Sequence, residues 1–199
     1  MNPTKIKIDD EIFPINTDFR TAIKCNEIAL DETIGDYERA LAIIYILFGE
    51  KGLNATTMHD KLIALAQRYI SLNKNKKSLK THCDDTNFKL DFKKCEGLIK
   101  SSFKFDYGYD PYEKEYLHWY DFYNDLENLA TSEFGNCCIL SRVQEILNQE
   151  PSKIEDCKER QKLIDAQKEL KEKYCIEEHK QTEQQRQSAE EFYRALKGG

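Results

Sequence analysis

The sequence predicts a mainly α protein, a multi-helix bundle of about seven helices with a short N-terminal β-hairpin. Three observations carry this expectation. Eight glycines and four prolines among 199 residues leave few turn punctuators, which disfavours an all-β sandwich with a turn every ten residues or so. From Phe19 onward, apolar residues recur three or four apart, the spacing of one helix face. Only ahead of Asp18 is the period two, where Ile6 and Ile8, then Phe13 and Ile15, flank the polar Asp9-Asp10-Glu11.

The elements follow in order. Thr17 or Asp18 can accept hydrogen bonds from first-turn amides, so a first helix starts there and runs to about Leu30 on a face of Phe19, Ala22, Ile23 and Leu30. Tyr37, Leu41, Ile44, Tyr45 and Phe48 mark a second, core helix, with Gly49 and Gly52 as stop signals. After a Thr56-Thr57 cap, Met58, Leu62, Leu65, Ala66 and Tyr69 predict a third helix packed on the second. Phe92, Cys95, Ile99 and Phe103 give a fourth that breaks at Gly108 and Pro111. A short turn leads to a fifth with Tyr116, Trp119, Tyr120, Tyr123 and Leu126 or Leu129. Ile139, Val143, Ile146 and Leu147 give a sixth, ended by Pro151. A capping box of Ser152 and Glu155 then starts a seventh with the stripe Leu163, Ala166, Leu170 and Tyr174.

These elements divide the chain into residues 1–70, a hairpin plus three helices, and residues 88–176, a C-terminal helical part. Residues 71–87 are Lys, Asn, Ser and Thr rich and read as a flexible linker, since they bury too little to offset ordering entropy. Residues 177–199 are charged, with Phe192, Tyr193 and Leu196 as anchors, and read as a frayed or partner-dependent helix.

Composition narrows the function classes. Hydrophobic residues at 40% can build an ordinary core, and 30 basic against 36 acidic residues leave a net charge of -6, which argues against a general nucleic-acid binder. The apolar stretch from Ala40 to Phe48 falls short of the roughly 20 residues that cross a bilayer, and no basic-then-apolar leader precedes it. Seven irregularly spaced cysteines fit reduced thiols in a cytosolic compartment.

Residues that could carry chemistry are few. Cys137-Cys138 invites a redox reading, but a catalytic dithiol normally spaces its thiols as Cys-x-x-Cys, so two partly buried thiols fit better. His82-Cys83 with Cys95 lacks the paired spacing of a zinc site. No Gly-rich phosphate loop and no Gly-x-Ser-x-Gly is present. Lys74 to Lys80 with Tyr69 could contact phosphates, yet a solvated linker explains them more simply. His118 beside the single tryptophan fits a helix-junction hydrogen bond better than a catalytic base, and Asp18 with Arg20 fits a cap and a guanidinium. The nine aromatics from Phe103 to Phe122 leave two readings open, core packing and an interface. No enzyme and no cofactor are expected.

Three stretches carry a family resemblance: Ile15-Asn16-Thr17-Asp18-Phe19-Arg20, then Phe88 to Phe103 leading into Tyr107-Gly108-Tyr109-Asp110, then Glu115-Tyr116-Leu117-His118-Trp119-Tyr120-Asp121-Phe122. In order and spacing they resemble the bacteriophage gene-product-fifteen family of tail-module proteins, from about residue 5 to 176. Leu126, Leu129, Phe134 and Arg142 continue the pattern. The chain departs from it at Tyr120, Tyr109 and Cys95, where the family usually has Trp, Ile and an acidic residue. The resemblance implies a gene near the tape-measure gene and a tail assembly chaperone acting in the host cytoplasm. Its partners would be the tape-measure protein or other tail proteins, with homo-oligomers possible. A tail completion or connector component retained in the virion is the alternative, and a small enzyme or regulator using His118 or the cysteines is a more distant one. The turn Tyr107 to Pro111, with Leu117, His118 and Trp119, would form or support the docking surface.

Overall fold

The computed structural model describes residues 4–71, 90–129 and 138–176. The linker reading (except Ser71) and the reading of residues 177–199 concern segments outside these residues. Within them, a two-stranded antiparallel hairpin precedes seven α-helices: β1 Lys5–Ile8, β2 Glu11–Pro14, α1 Phe19–Leu30, α2 Asp36–Asn54, α3 His59–Ile70, α4 Glu96–Tyr107, α5 Trp119–Glu127, α6 Ile139–Asn148 and α7 Cys157–Tyr174.

In the hairpin, Ile6 lies opposite Phe13 and Ile8 opposite Glu11. Side chains alternate, so Ile8 and Phe13 turn to the core while Ile12 is exposed. The tight turn needs a left-handed residue, and Asp9 takes it at φ 51° because a short polar side chain tolerates that region.

α1 starts where predicted, with Asp18 as its cap, but its buried face ends in Cys25 and Leu30 is exposed. α2 corrects the sequence reading twice. The helix continues through Gly49 and Gly52, and Gly49 (φ 67°, ψ -162°) kinks it without ending it. Beyond the kink Gly52 is buried, and the site admits no side chain, since an added Cβ would stand 2.5 Å from that of Phe48. The predicted face is also rotated: Ile44, Leu47 and Phe48 are buried, whereas Tyr37 and Tyr45 face solvent.

α3 packs Leu62, Ala66 and Tyr69 inward beside α2, although Thr56–Met58 forms a 3-10 turn and not a side-chain cap. Gly108 ends α4 in the left-handed region, as its stop signal predicts. The link to α5 is longer than a short turn, spanning Gly108 to His118, and Tyr116 precedes α5. The Ser152 capping box does not form: Ser152 sits in a 3-10 turn and Asp156 caps α7, accepting from Lys158 N at 2.6 Å and Glu159 N at 3.0 Å.

One core joins both parts of the chain, from Phe13, Phe19 and Ile44 through Phe103, Trp119 and Phe122 to Leu147. Burying each such side chain contributes about 1.5–3 kcal/mol. α7 is tied back to the start of α4 by a bridge between Leu90 and Cys175 and by Asp91 N donating to Tyr174 O at 2.9 Å. No helix among the described residues is long and apolar enough to cross a membrane.

Candidate functional site

The motif residues meet where α1 and α5 begin. Asp18 and His118 face each other in an isolated antiparallel bridge. Phe19 N donates to Leu117 O at 2.9 Å, and Trp119 N donates to Thr17 O at 2.8 Å. Each central residue also caps its own helix: Asp18 Oδ1 accepts from Arg20 N at 2.9 Å, and His118 Nδ1 accepts from Tyr120 N at 3.1 Å. First-turn amides lack partners within their helix, and here each helix start supplies them for the other. Because Nδ1 accepts, the ring hydrogen of this tautomer sits on Nε2, and among the described residues neither this buried atom nor Nε1 of Trp119 has a hydrogen-bond partner.

Arg20 locks the link that follows α4. Its guanidinium donates to both carboxylate oxygens of Asp18, at 3.1 and 2.9 Å, to Tyr112 O at 2.9 Å, to Pro111 O at 3.3 Å and to Lys114 O. Asp18 Oδ2 further accepts from Leu117 N at 3.3 Å. The planar fork suits several acceptors at once, which an ammonium would not match. Asp110 is buried, and its carboxylate accepts from Tyr112 N at 2.9 Å and faces Lys104 at 3.5 Å.

Behind this junction stand stacked rings. Phe122 stacks on Phe19 at 4.2 Å and on Phe103 at 5.5 Å, and Trp119 lies 6.0 Å from it. Tyr109 packs edge-on to Phe103 and donates its hydroxyl to Asp125 at 2.7 Å. Burial, and then that carboxylate, push the Tyr109 phenol above its ordinary range. Tyr107 is more exposed and donates to Asp125 O at 2.8 Å.

Of the residues singled out from sequence, Phe19, Leu117, His118, Trp119, Phe122 and Asp110 are buried, Asp18 and Arg20 join the two helix starts, and Tyr107, Gly108 and Tyr109 lie nearer the surface. The buried ones can position a surface but do not form it. Tyr69 is buried, with its hydroxyl 3.5 Å from Thr17 O, so it offers no face for stacking a base.

The other candidates are dispersed. Cys137, His82, Cys83 and Lys74 to Lys80 lie outside the described residues. Cys138 caps α6, its sulfur 3.5 Å from Ser141 N. Burial pushes the Cys95 thiol up to about 12, and its sulfur donates to Tyr174 O at 3.4 Å. No cluster of His, Cys, Asp and Glu able to hold a metal occurs among the described residues. An open concavity of about 750 Å³ lies between the hairpin exit, α1 and the kink of α2, lined by Ile15, Lys24, Tyr45, Phe48 and Gly49 among others.

Two structural polar residues escaped the sequence reading. Buried Ser102 of α4 accepts from Leu140 N at 3.1 Å, completing the start of α6. Buried Gln167 of α7 donates to Ile146 O at 2.9 Å and Gln149 O at 2.7 Å, closing the end of α6. The sequence signal available for Gln167 was its spacing, four residues after Leu163 and three before Leu170, which puts a polar side chain on the apolar stripe of α7.

Comparison with known proteins yields one family. No curated protein and no solved structure matches the chain. The family described as Bacteriophage Gp15 protein matches residues 2–192, past the limit of 176 expected from the motifs and into the charged C-terminal segment. Both helix starts and the link joined by Arg20 fall inside that match, and the chain belongs to the bacteriophage Gp15 protein family.

Proposed function

We propose that this protein is a tail assembly chaperone, not an enzyme, that binds the tape-measure protein non-covalently in the cytoplasm of the infected host. Membership of a phage protein family supports a role among other phage proteins. The observation that carries the reading is the aromatic junction. Buried Phe19, Phe103, Trp119 and Phe122 form a stiff frame, and Tyr107 and Tyr116 project from its edge with 37% and 54% of their surface exposed. Tyrosines held this way present apolar area with little entropy left to lose, which suits a binding surface.

A chaperone of this kind coats a long helical chain in many copies through modest, reversible contacts, and repetition supplies the avidity. Co-expression with the tape-measure protein of the same phage, followed by size-exclusion chromatography with light scattering, tests the reading. A soluble complex with several copies per tape-measure chain supports it. A tape-measure protein that stays insoluble while this protein elutes alone, together with its retention in purified particles, would replace the chaperone with a structural tail component.

A further inference from the structure

α2 carries more apolar surface than the core uses. Its run from Ala40 to Phe48 is unbroken, yet only Ile44, Leu47 and Phe48 of that run are buried. Tyr37, Leu41 and Tyr45 lie four residues apart and so form one ridge along the helix, about 12 Å from first to last. Tyr37 and Tyr45 are 63% and 51% exposed, and half-buried Leu41 is not among the side chains packed on the core. A helix that is apolar on all sides belongs in an interior, and within one chain α2 finds that interior on part of its surface only.

The two ends of this ridge differ in shape and in charge. The Tyr45 end borders the open concavity of about 750 Å³, which Arg20, Thr21 and Lys24 line from α1 and Gly49 and Glu50 from α2. At the other end Tyr37 projects from the first turn of α2, exposed Glu38 follows it, and exposed Glu32 lies in the link from α1. Arg20 is taken by Asp18, and Arg39 by Asp36 and Asp31 O. That leaves Lys24 as the cation at the hollow and Glu32 and Glu38 as the acids beside the projecting Tyr37, none of them in an ion pair among the described residues.

We propose that this ridge is the contact between two copies of the chain, paired antiparallel about a two-fold axis near Leu41. Leu41 then meets its own counterpart, and Tyr37 of each copy reaches the hollow beside Tyr45 of the other. Antiparallel pairing sets the Lys24 end of each copy against the Glu32 and Glu38 end of its neighbour, whereas a parallel pairing sets acids against acids. An isologous contact needs a patch that complements itself, and a projection and a hollow of unlike charge on either side of Leu41 provide it. Glu50 opposes the incoming acids and limits the strength of the pairing. The proposal goes beyond the chaperone reading and does not depend on it, since it concerns the chain alone.

The test uses the full chain by itself, in size-exclusion chromatography with light scattering and in sedimentation velocity, at about 1 to about 500 µM. Wild type is expected to pass with rising concentration from 23.4 kDa to twice that mass. Leu41→Glu, which sets two like charges at the axis and spares the core, should stay at the mass of one chain with an unchanged circular dichroism spectrum. Lys24→Glu and Glu38→Lys should each weaken self-association at least about tenfold. An equimolar mixture of these two should regain the dimer, because only the mixed pair brings opposite charges together at both ends. Both charge changes sit at exposed positions, so they report on the contact even if Leu41→Glu does not fold. A wild-type chain of single mass at every concentration would overturn the proposal. So would folded Leu41→Glu pairing as strongly as wild type, no recovery on mixing, or a mass that climbs past two copies.

Discussion

Asp18 and His118 face each other across an antiparallel bridge, and each caps the helix that begins beside it. The pair is of the kind not directly hydrogen-bonded, flanked by the bonds from Phe19 N and Trp119 N, a geometry that brings Cα atoms to about 4.5 Å.

That relationship predicts how the two positions respond to substitution. Asp18→Ala removes the α1 cap, the acceptor for Leu117 N and the partner of Arg20, and should cost about 2–3 kcal/mol in urea denaturation. His118→Ala should cost about 1 kcal/mol, and His118→Asn, which can still accept from Tyr120 N, should recover much of it. Equal losses for Ala and Asn at His118 would refute the capping role.

Arg20→Lys keeps the charge but not the fork that reaches Asp18, Tyr112 and Pro111. An expected loss of about 1–2 kcal/mol should come with faster amide exchange in the link from Tyr112 to Leu117. Unchanged exchange there would show that the link holds itself.

Gly49 takes a φ of 67° with ψ of -162°, a combination essentially confined to glycine, and a Cβ there meets nothing within 4 Å. Gly49→Ala should therefore destabilise by about 1–3 kcal/mol through backbone strain alone. Gly52→Ala should destabilise by a different route, since its Cβ collides with Phe48 and approaches Ile44 at 3.1 Å. Pairing each change with Phe48→Gly, which removes the Cβ that an alanine at 52 would strike, separates them: the Gly52 penalty shrinks and the Gly49 penalty stays.

Thiol labelling should distinguish the described cysteines. Burial pushes Cys25 and Cys95 up to about 12 and raises Cys175 as well, while Cys157 is exposed at the start of α7. Iodoacetamide followed by peptide mass spectrometry should find Cys157 modified first, and these three only after denaturation. Labelling of Cys95 as fast as Cys157 would contradict the packing at the α7 clasp.

Alkaline pH should unfold the protein through its tyrosines. Burial is the leading cause that raises the phenols of Tyr69, Tyr109 and Tyr112 above their ordinary 10.0. Below about pH 10 the phenols are protonated in both states and their contribution is complete; above it the unfolded chain ionises first, so stability falls as pH rises. Urea midpoints at about pH 8, 10 and 11 should decline, and Tyr109→Phe should flatten the decline.

Much of this fold was legible in the sequence because its signals are local. The alternation of Ile6, Ile8 and Phe13, the cap at Asp18 and the stop at Gly108 each act within a few residues. What the sequence reading missed depends on partners far along the chain. Ser102 and Gln167 complete α6 from two other helices, and no spacing rule pairs them with it. Gly49 reads locally as an end, yet the helix resumes once the kink is made. The faces of α2 went astray at Tyr37 and Tyr45, because a phenol suits an apolar stripe and a wet surface equally. For the candidate site, the motif residues did converge, but which of them are interior depends on the stacking around Phe122, and residue order does not encode that.

The bridge between Asp18 and His118 spans about a hundred residues of chain, and that distance sets the kinetics of folding. Closing a loop of this length costs about 4 kcal/mol beyond a fixed initiation term. Neither α1 nor α5 has its full set of terminal hydrogen bonds until it is closed. Most other helix contacts here are between neighbours along the chain, so the helices can form early and wait for long-range closures such as this one and the Leu90–Cys175 bridge. Folding should thus be slower than in a bundle of purely local contacts, with α1 and α5 protected from exchange together in a single late step.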